Sequence, residues 1–325
     1  MKKLSTVAAA AALASCIAGS AVAQENTELV IGAVYLDAQG FYAGVRQGVQ
    51  DAATEMGANL QIIETNAQGD LAKESSFIDR LVSAGVQAIV LSAVSADGSV
   101  AAIERAHEAG IPVICYNTCI NPDDMKEFVY AYAVGDPFQF GHDLGAFAAS
   151  YFKDNGIAEP KIGVLNCEFV EVCVQRRLGF EAALNEAGVD FTIVSNQEGT
   201  ILDNAISVAE AMLTANPEIN ALFGESGGAS LGAAIAVRNR EMVGKVVVFG
   251  SDMTTELAEE LIAGDVIKAQ VDVSGKSLGA LALRAAVDGI NGVEQSDVIL
   301  PHPIALYTSP EQGQAWLEAH PDGLP

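Results

Sequence analysis

Two features of the sequence predict an α/β protein with two doubly wound parallel-sheet lobes and a cleft between them. Short apolar strands alternate with amphipathic helices along the chain, which is typical of parallel sheets covered by helices on both faces. The chain has 325 residues, more than one compact core usually holds. No Pro/Ser-rich linker separates the halves, so we expect lobes joined by tight crossings.

The first half repeats a unit of strand, helix and glycine. Residues 29–35 form an uninterrupted apolar run, and apolar side chains then recur at helical spacing from Phe41 to Met56. Gly57 and Gly85 follow such helical stretches, where glycine commonly ends a helix. The further strands predicted in this half are residues 60–63, 88–91 and 110–115.

The same pattern restarts in the second half. Its predicted strands are residues 161–165, 191–194, 221–223 and 246–249. The last residues, 320–325, show no periodicity and are predicted to be unstructured.

The N-terminus has the features of a secretory signal peptide. Lys2 and Lys3 precede an apolar run, and small residues at 21–23 form an A-x-A cleavage site. We therefore expect an exported, periplasmic protein cleaved after Ala23. In the alternative, cleavage before Cys16 at a lipobox-like sequence would give a lipoprotein.

Charge and residue types exclude several classes of function. The formal net charge of −25 repels phosphate backbones, so no nucleic-acid partner is expected. The four histidines are scattered without metal spacing, and no nucleophile lies in a recognisable elbow. We predict no catalytic residues, no metal site and no cofactor, and hence no enzyme.

Four cysteines follow the signal peptide: Cys115, Cys119, Cys167 and Cys173. Export makes disulfides possible. Cys167 and Cys173 flank a predicted loop and would close a small ring. Either a disulfide between them or two buried free thiols agrees with the sequence.

Seven short segments resemble the ribose-binding family of periplasmic proteins, whose fold is shared with lac-repressor-type sensing domains. The resemblance covers nearly all of the chain after the signal peptide. The segments are residues 40–42 (GFY), 85–91 (GVQAIVL), 109–114 (AGIPVI), 135–136 (GD), 176–180 (RRLGF), 229–233 (ASLGA) and 250–252 (GSD).

This resemblance implies three crossings between the lobes, near Gly135, Val273 and Val298. The N-terminal lobe would comprise residues 24–134 and 274–297, and the C-terminal lobe residues 135–273 and 298–325. The family implies a monomer that captures a small sugar or polyol between closing lobes and passes it to an ABC permease in the inner membrane. A sensory receptor of the same fold, binding a sugar or an autoinducer-2-like ligand, is the alternative.

The family's first ligand-binding loop falls on Gln39, Phe41 and Tyr42. An aromatic ring offers a flat face to sugar C–H groups, and an amide both donates and accepts hydrogen bonds. Phe41 also starts the apolar stripe of its helix, so it belongs either to the site or to the core.

Asn117 follows the strand at 110–115, where family members usually carry an aspartate. An amide keeps an acceptor and adds donors, so we expect a different pattern of ligand hydroxyls. Asn117 would alternatively serve only as a turn residue before Cys119.

Two charged residues of the second half match ligand-binding positions of the family. Arg176 precedes Gly179-Phe180, and a guanidinium can bind two hydroxyls or a carboxylate with fixed geometry. Asp252 follows a predicted strand and can accept two hydroxyl donors. A salt bridge for Arg176 and a helix N-cap for Asp252 are the corresponding structural roles.

Three positions depart from the family. Its asparagine falls on Ser226, its second aromatic near Thr200 and its glutamine on Val273. Binding of ribose between two rings therefore does not follow from the resemblance. Asn166, Glu168 and Phe169 lie in a neighbouring loop and are candidates to replace the missing contacts.

Overall fold

A computed structural model describes residues 28–57 and 59–325. The predicted signal peptide, residues 1–23, and the alternative cleavage before Cys16 lie outside the described residues.

The described chain alternates between strands and helices, as the sequence predicts. The strands are β1 (Leu29–Tyr35), β2 (Leu60–Asn66), β3 (Ala88–Leu91), β4 (Val113–Tyr116), β5 (Ala131–Val134), β6 (Lys161–Asn166), β7 (Thr192–Glu198), β8 (Ala221–Gly224), β9 (Val247–Ser251), β10 (Ile267–Asp272), β11 (Ile299–Pro301) and β12 (Ala305–Tyr307). The helices are α1 (Phe41–Met56), α2 (Leu71–Ala84), α3 (Val100–Glu108), α4 (Pro122–Phe128), α5 (Pro137–Asp154), α6 (Glu171–Glu186), α7 (Leu202–Ala215), α8 (Gly227–Asn239), α9 (Thr255–Ala263), α10 (Gly275–Ile290) and α11 (Pro310–Ala319).

The strands form two six-stranded sheets. The first has the order β11-β5-β4-β3-β1-β2 and is parallel throughout, and the second has the order β12-β10-β9-β8-β6-β7. Only β12 runs antiparallel to its neighbour, β10, within the second sheet. The predicted fold class, two doubly wound parallel-sheet lobes, is confirmed.

Helices cover both faces of each sheet and so bury the strands on both sides. In the first lobe, α1 and α10 pack on one face, and α2 and α3 pack on the other. In the second lobe, α5 and α6 cover one face, and α7, α8 and α9 cover the other. The predicted apolar stripe of α1 is buried from Phe41 to Ala52, whereas Met56 in the last turn is 42% exposed.

The chain crosses between the lobes three times, and the third crossing corrects the sequence-based boundary. β11 pairs with β5, so residues 299–301 belong to the first sheet and the crossing follows Pro301 rather than Val298. A Cβ on Gly135 would lie 2.7 Å from Val273 and 3.2 Å from Ile304. The three crossings therefore lie side by side, which is where a hinge between the lobes would be.

The C-terminal tail is folded against the first lobe, contrary to the sequence-based expectation. The carbonyl oxygen of Pro325 accepts a hydrogen bond from the Lys276 backbone N–H at 2.9 Å. The Lys276 ammonium contacts the Asp322 carboxylate at 2.6 Å. None of the helices in the described part of the chain is both long and apolar enough to cross a membrane.

Candidate functional site

A cavity of about 90 Å³ lies between the lobes, where the carboxyl ends of strands from both sheets meet. Ligand sites of open α/β sheets lie at this edge. The first lobe contributes Leu36, Asp37, Phe41, Tyr42 and Asn117. The second lobe contributes Cys167, Phe169, Val170, Val172, Cys173, Arg176, Thr200, Ser226 and Asp252.

The loop after β1 brings aromatic side chains into the cavity. Phe41 and Tyr42 line it from the first turn of α1, and Phe41 is only 9% exposed. Phe41 thus combines its two predicted roles, in the core and in the cavity wall. Gln39 is exposed and does not line the cavity, whereas Asp37 does. The loop therefore offers the cavity a polar side chain from Asp37, two residues before the predicted Gln39.

Asn117 is held at the end of β4 in a left-handed conformation, with φ 55°. Asparagine adopts this conformation more readily than most residues. Its side-chain amide donates to the Tyr42 hydroxyl at 3.1 Å, and its backbone carbonyl oxygen accepts from the Tyr132 hydroxyl at 2.6 Å. Asn117 is therefore both a turn residue and part of the cavity wall.

A chain of hydroxyl groups supports Tyr42 from behind. The Tyr42 hydroxyl lies 3.3 Å from the Ser92 hydroxyl, which lies 2.6 Å from that of Thr118. Thr118 in turn donates to the Ala93 carbonyl oxygen at 2.7 Å. These bonds join the ends of β3 and β4 to the start of α1.

Close packing of α5 against α6 positions Arg176. A Cβ on Gly141 would overlap the Arg176 carbonyl oxygen, so glycine permits this approach. The guanidinium of Arg176 stacks over the Phe140 ring at 4.1 Å, and its Nη1 donates to the Glu225 carbonyl oxygen at 2.8 Å. Its Nε, although buried, has no partner among residues 28–57 and 59–325. The alternative role considered for Arg176, a salt bridge, is not what holds it; ring stacking and a backbone carbonyl hold it.

Asp252 mirrors Asn117 across the cleft. It follows β9 and has φ 64°, also left-handed. Its Oδ2 accepts from the Gly227 backbone N–H at 2.8 Å, at the N-terminus of α8. The N-cap of the next helix is Thr254, so Asp252 does not cap it. Burial raises the pKa of the Asp252 carboxyl, although the nearby Arg176 and the Gly227 N–H act in the opposite direction.

Ser226 and Thr200 line the cavity beside Asp252. The Ser226 hydroxyl caps α8 by accepting from the Ala229 N–H at 3.3 Å, and it lies 3.5 Å from the Thr200 carbonyl oxygen. Ser226 thus caps a helix and lines the cavity at the same time.

The loop between β6 and α6 is closed by a disulfide between Cys167 and Cys173. A second disulfide, which was not predicted from the sequence, joins Cys115 to Cys119. Glu225 lies beside Cys167 and Cys173, but the sulfurs of these two cysteines are bonded to each other and offer no thiolate to a metal.

The other candidates in this loop have different positions. Phe169 lines the cavity at its rim and is 48% exposed. Glu168 pairs with Arg177 at 2.6 Å, and Asn166 donates to Asn196 at 2.7 Å. Only Phe169 of the three lines the cavity.

Two buried carboxyl groups lie behind the second-lobe wall. Burial raises the pKa of Glu225 to about 8. Burial, with the charge of nearby Asp252 adding to it, raises the pKa of Asp272 to about 8. Both groups are therefore protonated near neutral pH, and neither lines the cavity, whose carboxyl groups are Asp252 of the second lobe and Asp37 of the first.

Taken together, the wall combines aromatic faces, an amide, a guanidinium and a carboxylate. A hydroxyl group can donate to a carboxylate and accept from a guanidinium or an amide, so this set suits a molecule with several hydroxyls. The groups come from both lobes, so a bound molecule would contact both.

Comparison with known proteins agrees with this geometry. Residues 31–294 match the model of the periplasmic binding protein domain. The chain is 56% identical to the ABC transporter periplasmic-binding protein YphF of Escherichia coli over 298 residues, which are 92% of this chain and 91% of YphF. It is 27% identical to the ribose import binding protein RbsB of Salmonella typhimurium, covering 92% and 93% of the two chains.

A solved structure shows the same fold. The ABC transporter solute-binding protein of Bacillus halodurans with bound myo-inositol superposes with a TM-score of 0.78 at 20% identity, covering 90% of this chain and 98% of that one. The predicted family resemblance is confirmed, and the family implies a periplasmic location. The chain belongs to the periplasmic binding protein family, whose members bind solutes for ABC transporters rather than catalyse reactions.

Proposed function

We propose that this protein captures a small sugar or polyol between its two lobes and delivers it to the permease of an ABC importer. The observation that carries this proposal is the cavity wall. Asn117 of the first lobe and Arg176 and Asp252 of the second line one cavity. Hydroxyl groups would bridge these side chains and so link the lobes.

The dimensions of the cavity limit the ligand. Its volume is about 90 Å³, and side chains of both lobes bound it. This space excludes oligosaccharides and favours a single small molecule. RbsB is named for ribose, and the Bacillus halodurans protein holds myo-inositol; both are compounds of this class.

The lobes that we propose to close are residues 28–134 with 275–301, and residues 135–273 with 305–319. Their relative rotation would occur at the three adjacent crossings near Gly135, Val273 and Ile304. Closure would exclude water from the charged groups and form the surface that a permease recognises. We further propose that the protein is exported with cleavage after Ala23 and acts as a monomer.

A thermal-shift screen of pentoses, hexoses, tetritols, pentitols, inositols and sugar acids tests the ligand class. A compound that binds only the folded state raises the free energy of unfolding, by about 2.7 kcal/mol at one hundred times its Kd. We expect at least one neutral polyhydroxylated compound to raise the melting temperature. The same compound should raise the melting temperature of Asp252→Ala by much less. A screen in which no compound shifts the wild-type protein would refute the ligand class.

Uptake tests delivery separately. Deleting the gene should abolish import of the compound found in the screen, and the wild-type gene should restore it. The gene for Asp252→Ala should not. Unchanged uptake in the deletion strain would show that the protein binds the compound for another purpose.

A further inference from the structure

The two disulfides lie in opposite lobes, and each closes a ring that contributes residues to the ligand cavity. Cys115–Cys119 closes a short ring at the end of β4, and Cys167–Cys173 closes a ring between β6 and α6. Cys167 and Cys173 line the cavity themselves, and the first ring contains the cavity residue Asn117. Each lobe therefore presents the ligand with a loop whose ends are covalently tied.

The first ring fixes a residue in an uncommon backbone conformation. Asn117 has φ 55°, and its backbone carbonyl oxygen accepts a hydrogen bond from the Tyr132 hydroxyl. A non-glycine residue in this region costs free energy that the surrounding structure must offset. The Cys115–Cys119 bond encloses this turn and limits the alternative conformations open to it.

The second ring forms a partition inside the cleft. Val170 and Val172 line the ligand cavity on one side and a second cavity of about 620 Å³ on the other. The ring is tied at its base, because the Cys167 N–H donates to the buried Glu225 carboxyl at 3.0 Å. If this ring moved, the small cavity would open into a space several times larger and would no longer enclose a small molecule.

We propose that these disulfides, and Cys167–Cys173 above all, position the ligand-binding loops, so that the oxidised protein binds and the reduced protein binds poorly. This inference rests on the proposed function, because it takes the 90 Å³ cavity as the ligand site. Rigid loops do not lose conformational freedom on binding, and affinity rises accordingly. A dithiol would reverse the effect: it gives two electrons and two protons to each disulfide, leaves two cysteine thiols and becomes a disulfide itself.

Calorimetry of the oxidised and the reduced protein measures the effect directly. D-ribose, xylitol and myo-inositol are titrated into protein kept oxidised and into protein reduced with dithiothreitol, with thiol counts as a check. We expect reduction to weaken the affinity for any compound bound by at least tenfold, and reoxidation to restore it. Affinities within twofold of each other would overturn the proposal.

Hydrogen exchange tests whether the disulfides position the loops even if none of these compounds binds. Absence of binding by all three compounds would count against the proposed function and not against this inference. Reduction should speed exchange of the amides at 117–119 and 168–172 by tenfold or more. The amides of β4 and β6 should keep their protection. Unchanged exchange in both rings would show that the disulfides position nothing, and the inference would fail on that result alone.

Variants separate positioning from general stabilisation. Cys167→Ser/Cys173→Ser should lower affinity at least tenfold at 20 °C, well below its melting transition. The control is Ile78→Ala, which removes a fully buried side chain of α2 outside the cavity wall. It should lower the melting temperature without changing affinity. A cysteine variant that behaves like this control would assign the disulfide a purely structural role.

Discussion

The side-chain amide of Asn117 donates a hydrogen bond to the hydroxyl of Tyr42 at 3.1 Å, and the hydroxyl bonds behind Tyr42 all run in one direction. Thr118 donates to a carbonyl oxygen, which can only accept. Ser92 must therefore donate to Thr118, and Tyr42 to Ser92. One orientation of the hydroxyls satisfies the whole chain, and it leaves the Asn117 side-chain oxygen free to accept from a ligand.

Asn117→Asp should break this order. A carboxylate accepts the Tyr42 proton, so the 3.3 Å contact between Tyr42 and Ser92 is left without a hydrogen. The change also adds a charge near Asp252. We expect a loss of about 1–3 kcal/mol in binding free energy, measured by titration with the compound found in the screen. Unchanged affinity for every sugar and polyol would reduce Asn117 to a turn residue.

Asp252→Ala and Arg176→Ala should each weaken binding by about 2 kcal/mol or more, because ligand hydroxyls would be left unpaired in a closed cleft. Calorimetry measures the loss, and circular dichroism checks the fold. Arg238→Ala is the matched control, since Arg238 pairs with Glu260 and Asp265 outside the cavity wall. Near-native affinity in both cavity variants would refute the site.

Gly141→Ala should destabilise the protein and disturb the site together. The added methyl group overlaps the Arg176 carbonyl oxygen, so α5 and α6 must separate. Overpacking of this kind costs about 1–3 kcal/mol, measurable by urea denaturation. Ser150→Ala, at an exposed position of the same helix, should change stability by less than about 0.5 kcal/mol. A Gly141→Ala protein as stable as this control would contradict the packing argument.

Stability should fall as pH rises from 6.5 to 8. Glu225 and Asp272 keep their protons in the folded protein up to about pH 8, whereas unfolded carboxyl groups lose them near pH 4. The folded state thus binds more protons in this window, and the free energy of unfolding decreases by at most about 1.4 kcal/mol per pH unit for each group. Urea denaturation at several pH values measures the slope.

Glu225→Gln and Asp272→Asn should each flatten that slope, since each removes one titrating group. A stability that stays constant or rises between pH 6.5 and 8 in the wild-type protein would contradict the assignment.

The sequence predicts the part of the site that follows from strand ends. Asn117 and Asp252 each follow a buried strand, and the structure brings both to the cavity. The same rule would have selected Asp37, the first polar residue after β1, but the family pattern pointed to Gln39. The position of a side chain within a turn depends on backbone angles that residue type alone does not specify.

Other features depend on contacts between distant segments. β11 has three residues, too few to show a period, so its pairing with β5 could not be read from the sequence. The seating of Arg176 depends on Gly141, which lies 35 positions earlier in the chain. The Cys115–Cys119 ring contains the left-handed turn at Asn117, which becomes visible only in the folded chain.

Small-angle X-ray scattering tests the central claim most directly, because capture between two lobes requires them to close. The radius of gyration is measured without ligand and with a saturating concentration of the compound found in the screen. We predict that it decreases for the wild-type protein and decreases less for Asp252→Ala at the same concentration. An unchanged radius of gyration for wild-type protein that calorimetry shows to be saturated would contradict closure around the ligand.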